Sequence, residues 1–129
     1  MNTRHVPDLE LCQELDRLCK EKKIVVPETE FWWWKVSGGE WGIISDDKKR
    51  AYQVLRWVQF FIPAPLVSEQ GKWLPQMCST HKGGQHYTCS LGAQWTGLKK
   101  SLVEFAVTEA NARQKMLNYL IAERIITKL

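Results

Sequence analysis

Cys78, His81, His86 and Cys89 stand in the pattern C-x2-H-x4-H-x2-C, two thiols and two imidazoles within twelve residues. Zinc takes such a set when all four donors converge at about 2.0–2.3 Å, so this is the sharpest chemical signal in the chain, and zinc is the one cofactor it suggests. The hairpin that carries it works against convergence. With Gly83 and Gly84 at the turn, His81 faces His86 and Cys78 faces Cys89, but positions 78 and 81 differ by an odd number. The two pairs therefore point to opposite faces of a regular ribbon, and only an irregular loop brings all four together. The same register makes Cys78 and Cys89 a hydrogen-bonded pair with splayed side chains, which disfavours a disulfide between them.

Other chemistry is fainter. A cysteine nucleophile beside either hairpin histidine would lack a third orienting group and an oxyanion motif. Asp46-Asp47 precedes the basic run Lys48-Lys49-Arg50, where a turn or helix cap explains the paired carboxylates. Both Gly-Gly pairs serve hairpin turns rather than strand-to-helix junctions, so neither reads as a phosphate loop. The reading favours a binding protein over an enzyme, with a metal-dependent enzyme or zinc-binding domain on the Cys/His hairpin as its alternative.

Seven tryptophans in 129 residues are several times the ordinary share. Three of them crowd the segment Phe31 to Val36, which a Ser37-Gly38-Gly39-Glu40 turn joins to Trp41 to Ser45. Placing Gly38 and Gly39 at the turn sets Val36 opposite Trp41, Trp34 opposite Ile43 and Trp32 opposite Ser45, an apolar face for packing against helices. The other face then carries Phe31, Trp33, Lys35 and Ile44, a second aromatic surface that a half-solvated sheet does not need. Another element of the domain covers it, or a partner does, and we take Phe31, Trp33, Lys35 and Ile44 as the candidate partner-binding residues. Trp57, Trp73 and Trp95 join Trp33 as candidates for a surface role.

The elements that must position these groups follow from periodicity. Leu11, Cys12, Leu15, Leu18 and Cys19 form one helical stripe over 8 to 22, with Asp16–Lys20 and Arg17–Glu21 spaced to pair on the outer side. Cys12 and Cys19 lie about two turns apart and read as core thiols. Residues 57 to 62 read as a strand ending at Pro63, while the stretch before them fits helix or strand equally. Leu66 to Leu74 fits a short helix despite Gly71. Strands follow near 77 to 81, 86 to 90 and 101 to 107, the last with Val103, Phe105 and Val107 on one face and Leu102, Glu104 and Ala106 on the other, as a strand with one well-buried side has. A helix over 109 to 124, capped by Thr108, closes the chain. The sum is an α+β fold, an antiparallel sheet of hairpins packed against an N-terminal and a C-terminal helix, in a single domain over 1–129.

Composition sets the outer bounds. At 44% apolar and 25% charged the chain matches a globular protein with a real core. The net charge of +4 sits in residues 63 to 129, with eight bases against four acids, while residues 1 to 62 balance ten against ten. That is too diffuse for a phosphate track, so nucleic-acid binding is a weak third reading. No apolar run approaches a membrane span and the N-terminus lacks signal-peptide character, so the expected setting is cytoplasmic, with reduced cysteines.

Three segments together look familiar: Ile62-Pro63-Ala64-Pro65 running into Ser68-Glu69 and Trp73-Leu74-Pro75, then Thr108-Glu109-Ala110 with Ala112-Arg113 and Lys115-Met116-Leu117, and the aromatic strand Phe31 to Trp34. They resemble small single-domain proteins encoded by bacteriophages and prophages, of uncharacterised function. The likeness spans about residues 9 to 127. Leu66 and Gln70 depart from it, since that family commonly follows Pro-Ala-Pro with Thr and a leucine-rich short helix. The resemblance implies an α+β domain from a mobile element, acting in the cytoplasm of a bacterial host, and assigns no catalytic residue. The expected function is a non-enzymatic interaction module that holds a protein partner, a host or anti-defence target, with a second copy of the chain as another candidate. On this reading Trp33→Ala and Phe31→Ala leave the thermal midpoint nearly unchanged while weakening association.

Overall fold

A computed structural model of the chain describes residues 5–75, 78–91 and 102–129. Trp95 and the first residues of the strands expected over 77 to 81 and 101 to 107 lie outside the described residues. The helix expected near the N-terminus is α1 (Leu9–Glu21), with Asp8 at its N-cap position and Cys12, Leu15, Leu18 and Cys19 buried. The spaced charges on its outer side pair as their spacing allows, Lys20 with Asp16 at 2.8 Å and Arg17 with Glu21 at 2.9 Å. Both pairs are solvated, and each adds only a few tenths of a kcal/mol, about the usual worth of an exposed helical pair.

An α+β fold follows, but its strands divide between two sheets. In the first, β1 (Phe31–Val36) lies between β2 (Gly42–Ser45) and β3 (Gln59–Ala64), all antiparallel. The stretch before β3 that fitted helix or strand is α2 (Asp46–Gln53), started by Ser45, whose hydroxyl accepts from the Lys48 N–H at 3.3 Å. Strand β3 runs two residues past the expected stop and includes Pro63, which a sheet tolerates on an edge strand where one side of the backbone is unpaired.

In the second sheet β5 (His86–Leu91) lies between β4 (Ser79–Gly83) and β6 (Leu102–Ala106). Between the sheets runs α3 (Val67–Trp73), and the chain closes with α4 (Glu109–Ala122). Thr108 caps α4 by accepting from the Asn111 N–H at 3.2 Å, as its position suggested.

Both hairpins close in a different register from the one expected. In the first, Trp33 pairs with Ile43 and Trp34 with Gly42, one residue off, because the loop is three residues long. Only Gly38 takes a left-handed φ, +81°, and the Gly39 N–H donates to the Val36 carbonyl at 2.9 Å. In the second, His81 pairs with Thr88 and Gly83 with His86, so the turn is Gly84-Gln85 with Gly84 at φ +61°.

Two apolar clusters result. The larger joins Leu15, Leu18 and Cys19 of α1 to Cys89 and Leu91 of β5, Ala106 of β6, and Ala112, Met116, Leu117, Leu120 and Ile121 of α4. The smaller gathers Phe31, Trp33, Ile43, Ile62 and Leu66 around Val6, Cys12 and Ala64. Helix α1 belongs to both and bridges the two sheets. Of the two faces of the last strand, that of Ala106 is turned to α4, and Val103, Phe105 and Val107 face solvent. A helix following at once after Thr108 packs closely on a small residue, and that decides which side of β6 is inside.

A row of buried amides crosses the helical layer. The Gln70 Nε2 donates to Gln114 Oε1 at 3.0 Å and to the Ala110 carbonyl at 2.9 Å; Gln114 Nε2 donates to Asn118 Oδ1 at 2.8 Å, and Asn118 Nδ2 to the Leu11 carbonyl at 3.1 Å. Gln114→Met keeps the length but strands the groups on either side of it. Leaving them unpaired in a dry interior should cost about 2 kcal/mol, or about 6–10 °C in thermal midpoint for a chain of this size. A shift indistinguishable from wild type in a melting experiment would show the row to be dispensable.

Candidate functional site

The face expected to meet a partner meets the chain itself. Phe31 and Trp33 are half-buried in the smaller cluster, and the Trp33 indole N–H donates to the Pro7 carbonyl at 3.2 Å. Pro7 and α1 form the roof, with the buried Cys12 thiol donating to the same carbonyl at 3.6 Å. Ile44 is not on this face at all. The one-residue difference in register turns it to the opposite side of the sheet, buried beside Trp32, as a single slip does to every side chain of a strand. Of the four expected partner-binding residues only Lys35 lies toward the open end, its Nζ 5.3 Å from the Trp41 ring centre and 5.6 Å from that of Phe60.

The opposite face is closed by α2. Trp32 is buried, donates its indole N–H to Asp46 Oδ1 at 3.0 Å and carries the Lys49 ammonium 3.5 Å above its ring. Trp34 donates to Gln59 Oε1 at 2.9 Å and leans on Tyr52, ring centres 5.1 Å apart. Gln59 Nε2 in turn donates to the Tyr52 carbonyl at 2.6 Å, which ties the end of α2 to the start of β3. Three consecutive tryptophans thus each have a satisfied N–H, on alternate faces of one strand.

On the first sheet an exposed apolar run lies where α2 gives way to β3. Val54 is 80% exposed, Leu55 38%, Trp57 58%, Val58 65% and Phe60 46%, five large apolar side chains within seven residues. With Val36 and Ser37 of the hairpin, Trp57 and Val58 line an open groove of about 400 Å³. The backbone beneath is held, since the Ser37 N–H donates to the Val58 carbonyl at 2.8 Å. Of these residues only Trp57 was singled out from sequence as a surface candidate. The continuous run Val54-Leu55-Arg56-Trp57-Val58 was the available signal, hidden because a buried strand reads the same way. Trp73, the other described surface candidate, packs half-buried against the larger cluster.

The Cys/His hairpin divides. His81 and His86 are exposed on the outer face of the second sheet, with Thr88 across from His81, while Cys89 is fully buried on the inner face. Cys78, just before β4, meets Cys89 on that inner side, sulfur to sulfur at 3.2 Å. The splayed, directly opposed pair expected from the earlier register is replaced by a diagonal one whose thiols touch, because the two-residue difference moves Thr80 opposite Cys89. Among the described residues no three histidine, cysteine or carboxylate side chains gather as a metal-ligand group.

The other two thiols are inert: burial pushes Cys12 well above the usual range and Cys19 up to about 11, with the Asp16 carboxylate adding to the second.

Two outcomes follow from this placement. Trp33→Ala removes a ring wedged under Pro7 and should cost about 2–4 kcal/mol, whereas Trp57→Ala should stay within about 0.5 kcal/mol of wild type in chemical denaturation. Equal losses would mean that Trp57 is as much a core residue as Trp33. With the imidazoles and thiols on opposite faces, a chelator should leave the melting temperature of both wild type and His81→Ala unchanged; a chelator-induced drop abolished by His81→Ala would show that the four ligands converge. Compared with protein-family models, with curated proteins and with solved structures, the chain has no match.

Proposed function

We propose that this protein is a non-enzymatic interaction module whose binding surface is the exposed run from Val54 to Phe60, with Trp57 as its anchor. The observation that carries this reading is the exposure of those five side chains on a backbone pinned from both sides, by the Ser37–Val58 bond and by Gln59. Large apolar groups cost free energy in water, and a rigid aromatic anchor loses little entropy when a partner covers it. The aromatic surface inferred from sequence is thereby moved from the Phe31/Trp33 face to the adjoining end of the same sheet.

Charge narrows the partner. Arg56 lies within the run and Lys35 beside it, its ammonium drawn over Phe60 of the run and over Trp41. A protein segment with an apolar side chain for the groove by Trp57 and acidic residues beside it complements that arrangement. On the phage origin expected from sequence, the target proposed is a host or anti-defence protein.

A random peptide library displayed against the immobilised protein provides a direct test. Enriched peptides should share an aromatic or aliphatic residue flanked by Asp or Glu, and Trp57→Ala should weaken them at least about tenfold at an unchanged melting temperature, the loss expected of a hot-spot ring. Peptides that bind Trp57→Ala as tightly as wild type would overturn the assignment. So would a library without enrichment, or a single-stranded oligonucleotide whose binding depends on Trp57.

A further inference from the structure

The geometry points to Cys78 and Cys89 as a thiol–disulfide site, oxidised by a small-molecule disulfide that enters at Cys78 and is displaced by Cys89. Their sulfurs lie 3.2 Å apart, so closing to a covalent bond of about 2.05 Å requires a movement of little more than an ångström. The movement has somewhere to come from: Cys78 precedes β4, its N–H donating to the Pro75 carbonyl at 2.9 Å, whereas Cys89 sits in the central strand. Their exposures differ in the sense the reaction needs. Cys78 is half-buried and reachable, and Cys89 is fully buried, so an incoming disulfide meets Cys78 alone.

Surrounding groups favour one negative charge on the pair. Cys78 hydrogen-bonds to Cys89 and holds the Cys89 thiol below its usual range, with Thr80 and the Arg113 guanidinium acting in the same direction against burial and Glu104. The proton so shared raises Cys78 in return, chiefly through the same hydrogen bond. For attack, the Cys78 proton passes to Cys89 across the 3.2 Å contact, which puts the thiolate on the reachable sulfur against the resting preference for Cys89. Arg113 is itself fixed, donating to the Val67 carbonyl at 3.2 Å and to Glu109 at 3.0 Å, while its buried Nε has no partner among the described residues.

The steps balance. The Cys78 thiolate attacks one sulfur of the small disulfide, forming a mixed disulfide and expelling one small thiolate. The Cys89 thiolate then attacks the Cys78 sulfur, forming the Cys78–Cys89 bond and expelling the second. Two protein thiols are oxidised, one small disulfide is reduced to two thiols, and the two protons lost by the cysteines end on the leaving thiols. Cys12 and Cys19 are buried on α1 and take no part.

Intact-protein and peptide mass spectrometry after incubation with oxidised glutathione tests this. Wild type should become two hydrogens lighter, with the bond mapped to Cys78–Cys89. Cys89→Ser should stop at the glutathione adduct on Cys78, accumulating it at least about tenfold above wild type, because the resolving thiol is gone. Cys78→Ser should acquire neither. An unreacted wild type, an adduct that persists on wild type, or a disulfide mapped to Cys12 or Cys19 would each overturn the assignment. Native circular dichroism of both variants before oxidation shows that they retain the fold.

Discussion

Leaving a hydrogen-bonding group dry inside a protein costs free energy, and here the pairing of three buried amides fixes how the helices sit on one another. Gln70, Gln114 and Asn118 carry amides into the centre of the helical layer, and each amide nitrogen is answered by the next oxygen until the row ends on a backbone carbonyl of α1, while Gln70 Oε1 at its head is buried without a partner among the described residues. Sliding α4 along α1 or turning it about its axis would break the whole row. Because α4 also supplies the floor beneath the second sheet, its position determines where Cys89, Leu91 and Ala106 find cover.

The connection to the first sheet is made by a few directed bonds. The Glu69 carboxylate at the start of α3 accepts from the Leu66 N–H at 2.7 Å and from the Glu30 N–H at 3.0 Å, joining α3 to the entry of β1. Asn111 of α4 accepts from the Asp8 N–H at 2.8 Å, which holds the start of α1 and with it Pro7, the lid over Trp33. Each tryptophan of β1 thus depends on a different neighbour for its N–H. Most of the tryptophans of the first sheet serve this interlocking, and the end of that sheet, around Trp57 and Phe60, stays exposed.

The two outward-looking features rest on different physics and on different sheets. The apolar run at the head of β3 gains from being covered, so it suits recognition. The thiol pair on the inner side of the second sheet gains from proximity and from a proton shared between sulfurs, so it suits exchange chemistry. Both occur where a regular strand begins, at Gln59 and at Ser79, because backbone just outside a strand is free to leave side chains in positions that a pleat would forbid.

Local order was legible in the sequence wherever near neighbours decide it. The α1 stripe, the Thr108 cap, the Glu109–Arg113 pair at 3.0 Å and both hairpins follow from spacings of two to four residues. What the sequence could not determine was which of two adjacent glycines takes the left-handed conformation. Gly38 does so in one hairpin and Gly84 in the other, and the loops are three residues and two residues long accordingly. A residue of difference there exchanges the faces of β2, buries Ile44 under α2 and moves Trp41 beside Lys35. Two residues in the second hairpin bring Cys78 against Cys89 while leaving the histidines in water. Periodicity reports that a strand has two faces. Which face is inside depends on what distant segment arrives to cover it, and only the packed tertiary structure decides that.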